Sequence, residues 1–463
     1  MSALLTRSHP SWSTPDGSRT TAGPRRPDAY HRGVPLTAVE TPRLTVATRM
    51  LDDPGDVLAA TLPDRPLAFV RRGDGIVGIG EAVRFVFTGP ARMRDASATW
   101  RRLVERATVE DGLRVRGTGL VAFGAFAFAD DSAAPSVLVV PRIVIGRRHG
   151  RAWMTTIDPE PLDGDAFPAV VADVVPTTAT ASITLPTPAP AHLSAAFGPG
   201  RIDEDAYAAA VAEAVRVIRA GGVEKVVLAR DRVARLPADA DRRGVLVDLA
   251  AAYPDCVTFA VDGLVGATPE TLARTDGRTL TARVLAGSAA RGADAESDRL
   301  AAESLAADPK DLEEHAFARA SLVEALGTVA TDVRADPAPF RLQLPNLWHL
   351  ASDVSATLPE GTTALDVADV LHPTAAVAGT PRAAALDLIA RLEGTDRGRY
   401  AGPVGWMGAS GDGEWMLALR SAQIDDDGTV TAWAGAGIVA GSVPDREVAE
   451  TALKLRPVTD ALA

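Results

Sequence analysis

The first half of the chain carries short apolar runs separated by Gly, Asp and Pro, a pattern that predicts β-strands rather than helices. One longer segment, about residues 93–107, has helical spacing instead. Residues 1–36 are polar and rich in Arg, Pro and Gly, and this composition predicts a disordered tail. The apolar runs are Leu67–Val70, Ile76–Ile79, Phe85–Phe87, Leu120–Phe128 and Val137–Val140.

The second half mixes helical and strand-like patterns, and its clearest helix is predicted over Asp203–Ala220, which two glycines follow. The strands and helices alternate too irregularly for a βαβ barrel, and Asp-Gly turns favour antiparallel hairpins. Further helices are predicted at about 296–307, 310–329, 381–392 and 444–455. Strands are predicted at about 225–234, 256–261, 278–285, 402–408, 414–423 and 429–434.

A connector rich in Thr, Pro and Ala, residues 176–200, divides the chain beyond the tail. It joins a sheet-rich first half, 37–175, to a second half, 201–463, which holds most of the chemically informative residues. Strands in both halves could share one core, so residues 37–463 are expected to form a single domain.

Composition limits what this chain binds and where it functions. A net charge of −12 disfavours nucleic acids and anionic membranes as partners. No apolar run approaches the ~20 residues needed to span a bilayer. The one cysteine, Cys256, excludes an internal disulfide and a cysteine-based zinc site. Because the N-terminal segment lacks the apolar core of a secretory signal, a cytoplasmic protein is expected.

The segment Gly73–Gly78 matches the G-x-G-x-x-G spacing of dinucleotide-binding proteins. Such a site needs a helix to begin at the glycines, because the helix N-terminus holds the pyrophosphate. The following residues, 79–87, have a strand-like pattern, so a hairpin turn is the favoured interpretation.

Two acidic segments about 130 residues apart each place two carboxylates three positions apart, on one face of a predicted helix. If these faces met across a cleft, they would supply oxygen ligands for one hard cation. Solvated helix faces are the alternative, and Glu450 with Lys454 also fits an ordinary i,i+4 ion pair. The carboxylate pairs are Asp311 with Glu314 and Glu447 with Glu450.

Short polar or glycine-containing motifs lie at the ends of several predicted strands. Each alone has a structural explanation, such as a sheet-edge lysine, a helix cap or a surface ion pair. Two of them, Gly287-Ser288 and Gly435–Ile438, are predicted to be turns. The full set is Lys225–Arg230, Gly266–Glu270, Leu285–Ala289, His372–Thr374, Gly379–Pro381, Tyr400–Gly402, Arg420 and Gly435–Ile438.

In this order the motifs resemble those of the chorismate-utilising enzymes, a family that includes isochorismate, salicylate, anthranilate and aminodeoxychorismate synthases. The resemblance covers about residues 200–460 and extends loosely to Phe123–Phe128. It implies an α+β fold in which two large, mostly antiparallel β-sheets pack together with helices outside. It also implies a deep active-site cleft, chorismate as the substrate and Mg²⁺ as the only cofactor, and a monomer is expected.

The resemblance places the metal at the acidic helices and the substrate at the other motifs. Direct Mg²⁺ ligands are expected to be Glu314 and Glu450, with Asp311 and Glu447 beside them or bound through water. The enolpyruvyl carboxylate of chorismate is expected to contact Tyr400, Arg420 and the backbone amides of Gly435, Ala436 and Gly437. Further substrate contacts are expected from Gly287, Ser288, His349 and Lys454.

Lys225 favours water over ammonia as the nucleophile, because family members that add water resemble this chain in having that lysine. Neutral Lys225 would take a proton from water attacking C2, and protonated Glu270 would donate to the departing C4 oxygen. The expected activity is isochorismate synthase, for menaquinone or siderophore biosynthesis. Salicylate synthase is the first alternative, although Ser288 favours isochorismate synthase, because salicylate-forming members often carry Thr at that position. Anthranilate or aminodeoxychorismate synthase and a silent chorismate-binding paralogue are the others.

Overall fold

The computed structural model describes residues 41–160, 192–237 and 239–462, so the predicted tail and most of the predicted connector lie outside it. The described part from Thr41 onward forms one compact unit, while the single domain over 37–463 stays a prediction. The helices in this part are α1 (Arg92–Arg106), α2 (Glu204–Arg219), α3 (Arg243–Ala252), α4 (Ala295–Ala307), α5 (Pro309–Leu326), α6 (Ala364–Leu371), α7 (Arg382–Glu393) and α8 (Pro444–Asp460).

The strands of the first half are β1 (Leu44–Leu51), β2 (Leu67–Arg71), β3 (Asp74–Ile79), β4 (Val83–Phe87), β5 (Thr108–Asp111), β6 (Val121–Ala125), β7 (Ser136–Val140), β8 (Ile143–Arg148) and β9 (Arg151–Pro159). Those of the second half are β10 (Gly198–Pro199), β11 (Lys225–Arg235), β12 (Val257–Val261), β13 (Leu264–Thr268), β14 (Thr271–Asp276), β15 (Thr279–Ala290), β16 (Thr331–Ala335), β17 (Phe340–Gln343), β18 (Leu347–Thr357), β19 (Gly379–Thr380), β20 (Pro403–Gly408), β21 (Gly413–Leu417), β22 (Ser421–Ile424) and β23 (Thr429–Ile438).

These strands form two large sheets. The first has the order β10-β11-β23-β22-β13-β12-β2-β3-β8-β9-β1-β5, with β19 paired to β11. The second has the order β16-β18-β15-β14-β21-β20-β6-β7-β4, with β17 paired to β18. Among the described strands only β1 and β5 pair in parallel. The prediction of an α+β fold with two mostly antiparallel sheets is confirmed.

The main hydrophobic core lies between the sheets. It forms because successive side chains along each strand alternate between the two faces of the sheet. In β2, Leu67 and Phe69 belong to the cluster that contains Phe123 and Trp415 of the second sheet. Ala68 and Val70, which alternate with them along the strand, belong to a second cluster with residues of α3. Because successive side chains of a strand point to opposite faces, the first sheet is covered on both sides.

The helices and the glycine-rich hairpin agree with the patterns that predicted them. The side chain of Asp203 caps α2 by accepting a hydrogen bond from Ala206 N at 2.8 Å. The Gly73–Gly78 segment forms the β2–β3 hairpin, as predicted, and no helix begins there. Two helices, α3 and α6, were not predicted. Within the described ranges, no helix is long and apolar enough to cross a membrane.

The chain passes from one sheet to the other at two neighbouring points. Strand β13 of the first sheet leads into β14 of the second, and Glu270 lies between them. Strand β21 of the second sheet leads into β22 of the first, with Arg420 at the crossing and its φ at 49°. The prediction of one strand over 414–423 is therefore wrong, because the left-handed conformation of Arg420 breaks the strand.

Two predicted turns are also wrong, because both segments belong to strands. Strand β15 continues to Ala290 through a register shift between Leu285 and Ser288, where Gly287 has a φ of +81°. This is a β-bulge, which glycine accommodates without steric cost. The Gly435–Ile438 segment lies inside β23, because that strand pairs with β11 as far as Ile438.

Candidate active site

A cleft of about 660 Å³, which is open to solvent, lies beside the two sheet crossings. Most of the residues predicted to bind substrate or act in catalysis meet in it, although their roles stay predictions. Those that line the cleft are Glu270, Gly287, Ser288, Glu314, His349, Tyr400, Arg420, Gly435, Gly437 and Lys454. Those that do not line it are Lys225, Asp311, Ala436, Glu447 and Glu450.

Lys225 begins β11, and its side chain is fully buried next to the cleft. Its Nζ lies 3.2 Å from Oε1 of Glu314, yet it has no hydrogen-bond partner among the described residues. Gly437 leaves room for this pair, because a Cβ there would collide with the Glu314 carboxylate. Because an ammonium has three donors and Glu314 is the only ion-pair partner of Lys225 among the described residues, Nζ can also contact a water or a substrate oxygen.

Glu270 lies at the first sheet crossing and is almost fully buried. Burial raises the pKa of its carboxyl to about 8, although the charges of Arg420, Lys225 and Lys454 act in the opposite direction. The backbone of Leu285 also hydrogen-bonds to it. Because this pKa is above 7, the carboxyl is mainly protonated at neutral pH and can donate a proton inside the cleft.

Arg420 at the second crossing is held by a chain of hydrogen bonds. Its guanidinium donates to Nε2 of His349, and Nδ1 of His349 lies 3.1 Å from the carbonyl oxygen of Gly287. Because arginine can only donate, Nε2 accepts and the proton of His349 is on Nδ1. Burial and the charge of Arg420 lower the pKa of His349 well below its ordinary value. His349 is therefore a neutral residue that orients Arg420.

Arg420 also has an unused donor beside the cleft. Its Nε is buried and has no hydrogen-bond partner in the described part of the chain. A guanidinium that lines a cleft with an unpaired N–H is suited to a carboxylate, which accepts hydrogen bonds from the planar fork. This geometry fits the predicted contact between Arg420 and a substrate carboxylate.

Tyr400 and β23 form the neighbouring wall. Tyr400 stacks on Trp433 with 5.8 Å between ring centroids, and burial raises the pKa of Tyr400 to about 12, so its hydroxyl remains a donor. Strand β22 stops pairing with β23 at Trp433, so one edge of Gly435–Gly437 has no adjacent strand. Lys454 Nζ lies 3.2 Å from the carbonyl oxygen of Gly435. Ala436 is buried between the two lining glycines.

The two acidic helix faces come together at one side of the cleft. Three of their carboxylates each form an ion pair with a different lysine. These ion pairs are Lys225–Glu314 at 3.2 Å, Lys310–Glu447 at 3.1 Å and Lys454–Glu450 at 2.7 Å. Burial would raise the pKa of Glu314, but the nearby Lys225, Lys454 and Lys310 lower it below its ordinary value. Burial, and then the charge of Glu314, raise the pKa of Asp311 to about 7.

The described residues contain no cluster of three or more His, Cys, Asp or Glu side chains arranged to hold a metal ion. Two carboxylates nevertheless suffice for Mg²⁺, which keeps several waters and takes further oxygens from its substrate. The Oε2 atom of Glu447 is buried without a hydrogen-bond partner, and burial followed by the charge of Glu450 raises the pKa of Glu447. This all-oxygen set, in which one carboxylate oxygen has no partner among the described residues, fits a hydrated divalent cation.

One charged residue of the cleft was not predicted from the sequence. Arg397 lines the cleft and forms an ion pair with Glu393, with 2.8 Å between Arg397 Nε and Glu393 Oε2. Arg397 also donates to the carbonyl oxygen of Val227, and Glu393 accepts from Ala229 N, so the pair ties α7 to β11. Both residues lie just beyond the helix predicted at about 381–392, and their i,i+4 spacing alone does not show that the pair is buried.

Replacing Arg397 by methionine is expected to lower the free energy of unfolding by about 3–5 kcal/mol, because it leaves the Glu393 carboxylate buried and unpaired. The side chains of Arg397 and Glu393 are only 2% and 1% exposed. Urea denaturation measures the change. The matched control is Arg456→Met, which breaks an exposed i,i+4 pair with Asp460 and should cost less than about 1 kcal/mol. Equal losses in the two variants would contradict the prediction.

The family model described as chorismate binding enzyme matches residues 54–463. A Mycobacterium tuberculosis protein named MenF, provisionally assigned as an isochorismate synthase, is 35% identical over 380 residues, or 82% of this chain and 95% of that protein. Isochorismate synthase EntC of Escherichia coli K12 is 38% identical over 250 residues, or 53% of this chain and 64% of EntC.

Among solved structures, this chain resembles DhbC of Bacillus anthracis, provisionally assigned as a 2,3-dihydroxybenzoate-specific isochorismate synthase. The TM-score is 0.70 at 27% sequence identity, and the match covers 88% of this chain and 98% of DhbC. The match to the family model and the resemblance to MenF each cover most of the chain, and the residues matched by the family model include all those that line the cleft. The chain therefore belongs to the chorismate-binding enzyme family.

Proposed function

We propose that this protein is a Mg²⁺-dependent isochorismate synthase, which adds water to C2 of chorismate and releases the C4 hydroxyl as water. The single observation that carries the proposal is that a buried lysine amine and a buried carboxyl lie beside one cleft. These are Lys225, whose Nζ has no hydrogen-bond partner among the described residues, and Glu270, whose pKa is about 8. The isochorismate synthase relatives support the same activity.

The two residues divide the proton transfers of one substitution. Lys225 in its neutral form takes a proton from the attacking water, and Glu270 gives its proton to the departing C4 oxygen. The oxygen added to C2 and the oxygen lost from C4 balance, so one water enters and one leaves. When bound by Glu314 and Glu450, Mg²⁺ would supply positive charge for the ring carboxylate and for Glu314, which frees Lys225 from its ion pair.

Arg420, Tyr400 and the unpaired edge of β23 would hold the enolpyruvyl carboxylate, while Lys454 and the Gly287–Ser288 bulge complete the contacts. His349 keeps Arg420 in place through the hydrogen bond described above. Apolar residues Val377 and Leu419 also line the cleft, and they would exclude bulk water from the ring.

The test is to incubate the purified protein with chorismate and Mg²⁺ and to separate the products by chromatography. Isochorismate as the accumulating product supports the proposal. Salicylate with pyruvate would indicate a salicylate synthase, ammonia-dependent anthranilate or aminodeoxychorismate would indicate those synthases, and no reaction would indicate a silent binding paralogue. Each of these results contradicts isochorismate synthase as the final activity.

The wider assignments are also proposals. We propose that the protein is a cytoplasmic monomer of one domain whose product enters menaquinone or siderophore biosynthesis. The negative net charge and the absence of a membrane-spanning helix in the described residues are consistent with a small-molecule enzyme.

The value of kcat/KM is expected to fall as the pH rises through about 8. At pH values well above 8 the fall should approach about tenfold per pH unit. The reason is that Glu270 must be protonated to donate, and burial raises its pKa to about 8. The charged groups that act on it are Arg420, Lys225 and Lys454. Steady-state kinetics of the natural enzyme and of Glu270→Gln between about pH 6 and 10 measure the profile, and a fall above pH 8 that persists in Glu270→Gln would remove Glu270 from the acid role.

Replacing Arg420 by lysine is expected to raise KM for chorismate about 10- to 100-fold, because hydrogen bonds to a charged group contribute roughly 1.5–3 kcal/mol. Lysine keeps the charge but loses the planar fork and the hydrogen bond to His349. Steady-state kinetics provide KM, and the matched control is Arg456→Lys on the exposed face of α8. If KM and kcat are both unchanged, the substrate carboxylate binds elsewhere.

A further inference from the structure

His315 directly follows Glu314 on α5, but its side chain is bound to the second sheet. The residue is only 2% exposed. Its Nε2 lies 2.9 Å from Oγ of Ser352 on β18, and its Nδ1 lies 3.3 Å from the carbonyl oxygen of Ala286 on β15. One imidazole ring therefore joins the helix to two neighbouring strands, immediately after a carboxylate proposed to bind the metal.

The two contacts determine which atoms donate. A carbonyl oxygen can only accept, so Nδ1 of His315 carries a proton and donates to Ala286. In the neutral ring Nε2 is then an acceptor, and the hydroxyl of Ser352 donates to it. Ser352 is fully buried. Removing the imidazole would leave this hydroxyl buried and unpaired, which is costly, so the structure strongly favours this one arrangement of the helix and the strands.

The two strands that hold His315 also form part of the cleft wall. On β15, Ala286 directly precedes Gly287 of the bulge, and both residues line the cleft. On β18, Ser352 lies three residues beyond His349, which also lines the cleft. The imidazole is therefore fixed to the same backbone segments that would contact the substrate.

A second contact holds the first turn of α5 against the bulge. A Cβ on Gly287 would lie 3.0 Å from Cβ of Asp311, so the absence of a side chain at Gly287 allows the helix to approach closely. Asp311 and His315 are about one helical turn apart, and Glu314 lies between them in the sequence. The turn of α5 that carries Glu314 is thus held against β15 at both of its ends.

We propose that His315 is a positioning residue that fixes Glu314 relative to the substrate wall, so that one Mg²⁺ can contact both the protein and the substrate. The inference rests on the proposed function, in which Glu314 binds Mg²⁺. Mg²⁺ demands near-ideal octahedral geometry, so ligands from two partners must be held at a set separation. Loss of the His315 contacts should therefore weaken Mg²⁺ binding more in the presence of chorismate than in its absence.

The test is calorimetric titration with Mg²⁺, with and without chorismate, in a Glu270→Gln background that should bind chorismate without converting it. This background leaves the Lys225–Glu314 ion pair intact. His315→Phe keeps an aromatic ring but removes both hydrogen bonds, and it should raise the Kd for Mg²⁺ with chorismate about 10- to 100-fold, the range for residues that orient metal ligands. Ser352→Ala removes one hydrogen bond and should raise this Kd by a smaller factor.

Two further variants separate positioning from a merely structural role. The amide of His315→Asn can replace Nδ1 as the donor to Ala286, so this variant should bind Mg²⁺ more tightly than His315→Phe. Leu322→Ala is the matched control, because Leu322 is buried two turns further along α5 and has no contact with the metal ligands. It should lower stability in urea but leave the Kd for Mg²⁺ unchanged.

An unchanged Kd for Mg²⁺ in His315→Phe, or an equal increase in Leu322→Ala, would overturn the proposal. If His315→Phe does not fold, Ser352→Ala decides the question, and an unchanged Kd in that variant would likewise overturn it. If the Glu270→Gln protein with His315 intact does not bind Mg²⁺ in the presence of chorismate, the proposed function is contradicted. Mg²⁺ binding that occurs but is insensitive to His315 and Ser352 would contradict this inference alone.

Discussion

Replacing Lys225 by alanine is expected to lower kcat for isochorismate formation by at least about 100-fold, the lower bound of what a general base contributes. The structure motivates the prediction, because Lys225 Nζ is buried beside the cleft and makes no hydrogen bond to any described residue. Chorismate should still bind, since the predicted carboxylate contacts come from other residues. Steady-state kinetics and calorimetric titration with chorismate separate the two effects.

The matched control is Lys225→Arg, which distinguishes a base from an ion-pair partner. Arginine keeps a positive charge next to Glu314 but does not release its proton, so it should lose as much turnover as alanine. Recovery of more than a hundredth of the natural kcat by either variant would remove Lys225 from the base role. Added ammonium should give no anthranilate with the natural enzyme, because Lys225 is proposed to activate water.

The sequence was informative about the site because polar residues at strand ends stand out against apolar strands. Lys225 begins β11 and Glu270 follows β13, as their motifs predicted. The spacing of carboxylates on α5 and α8 likewise required only helical periodicity. The choice of family came from the order of these motifs, and the family model and the relatives confirm it.

Features that depend on pairing between distant strands could not be predicted from local patterns. Nothing in the run from Glu414 to Gln423 shows that it passes between two sheets, because both parts have apolar side chains. The bulge at Gly287 depends on register with β18, where Ser288 pairs with His349. From local sequence alone, the glycines at 287 and 437 indicate turns. In the fold, Gly437 instead lies within a strand and allows the Glu314 carboxylate to approach the backbone closely. The Arg397–Glu393 pair was missed because burial, not spacing, distinguishes it.

Removal of divalent metal with EDTA is expected to abolish isochorismate formation, and added Mg²⁺ should restore it. The metal is a proposal that rests on the acidic faces of α5 and α8, where Lys225, Lys310 and Lys454 each pair with a carboxylate. Chorismate brings two more carboxylates, and like charges in a partly dry cleft repel strongly unless a cation lies between them. Activity as a function of free Mg²⁺ provides the measurement.

Variants of the acidic residues should distinguish the carboxylates that bind Mg²⁺ directly from those that lie beside them. Glu314→Gln and Glu450→Gln should each raise the Mg²⁺ concentration needed for half-maximal activity more than about 100-fold. Asp311→Asn should raise it only about tenfold, because residues that contact the metal ligands rather than the metal contribute roughly 10- to 100-fold to metal affinity. The exposed Glu303→Gln on α4 is the control and should change nothing.

Binding measurements give a second, independent readout for the metal. Because the cation would join protein carboxylates to a substrate carboxylate, Mg²⁺ and chorismate must tighten each other's binding by the same factor. Calorimetric titration of each ligand with and without the other tests this equality in the Lys225→Ala variant, which should bind chorismate but not convert it. Full activity in EDTA, or a Mg²⁺ requirement insensitive to Glu314 and Glu450, would show that the acidic faces are solvated helix surfaces held by lysines.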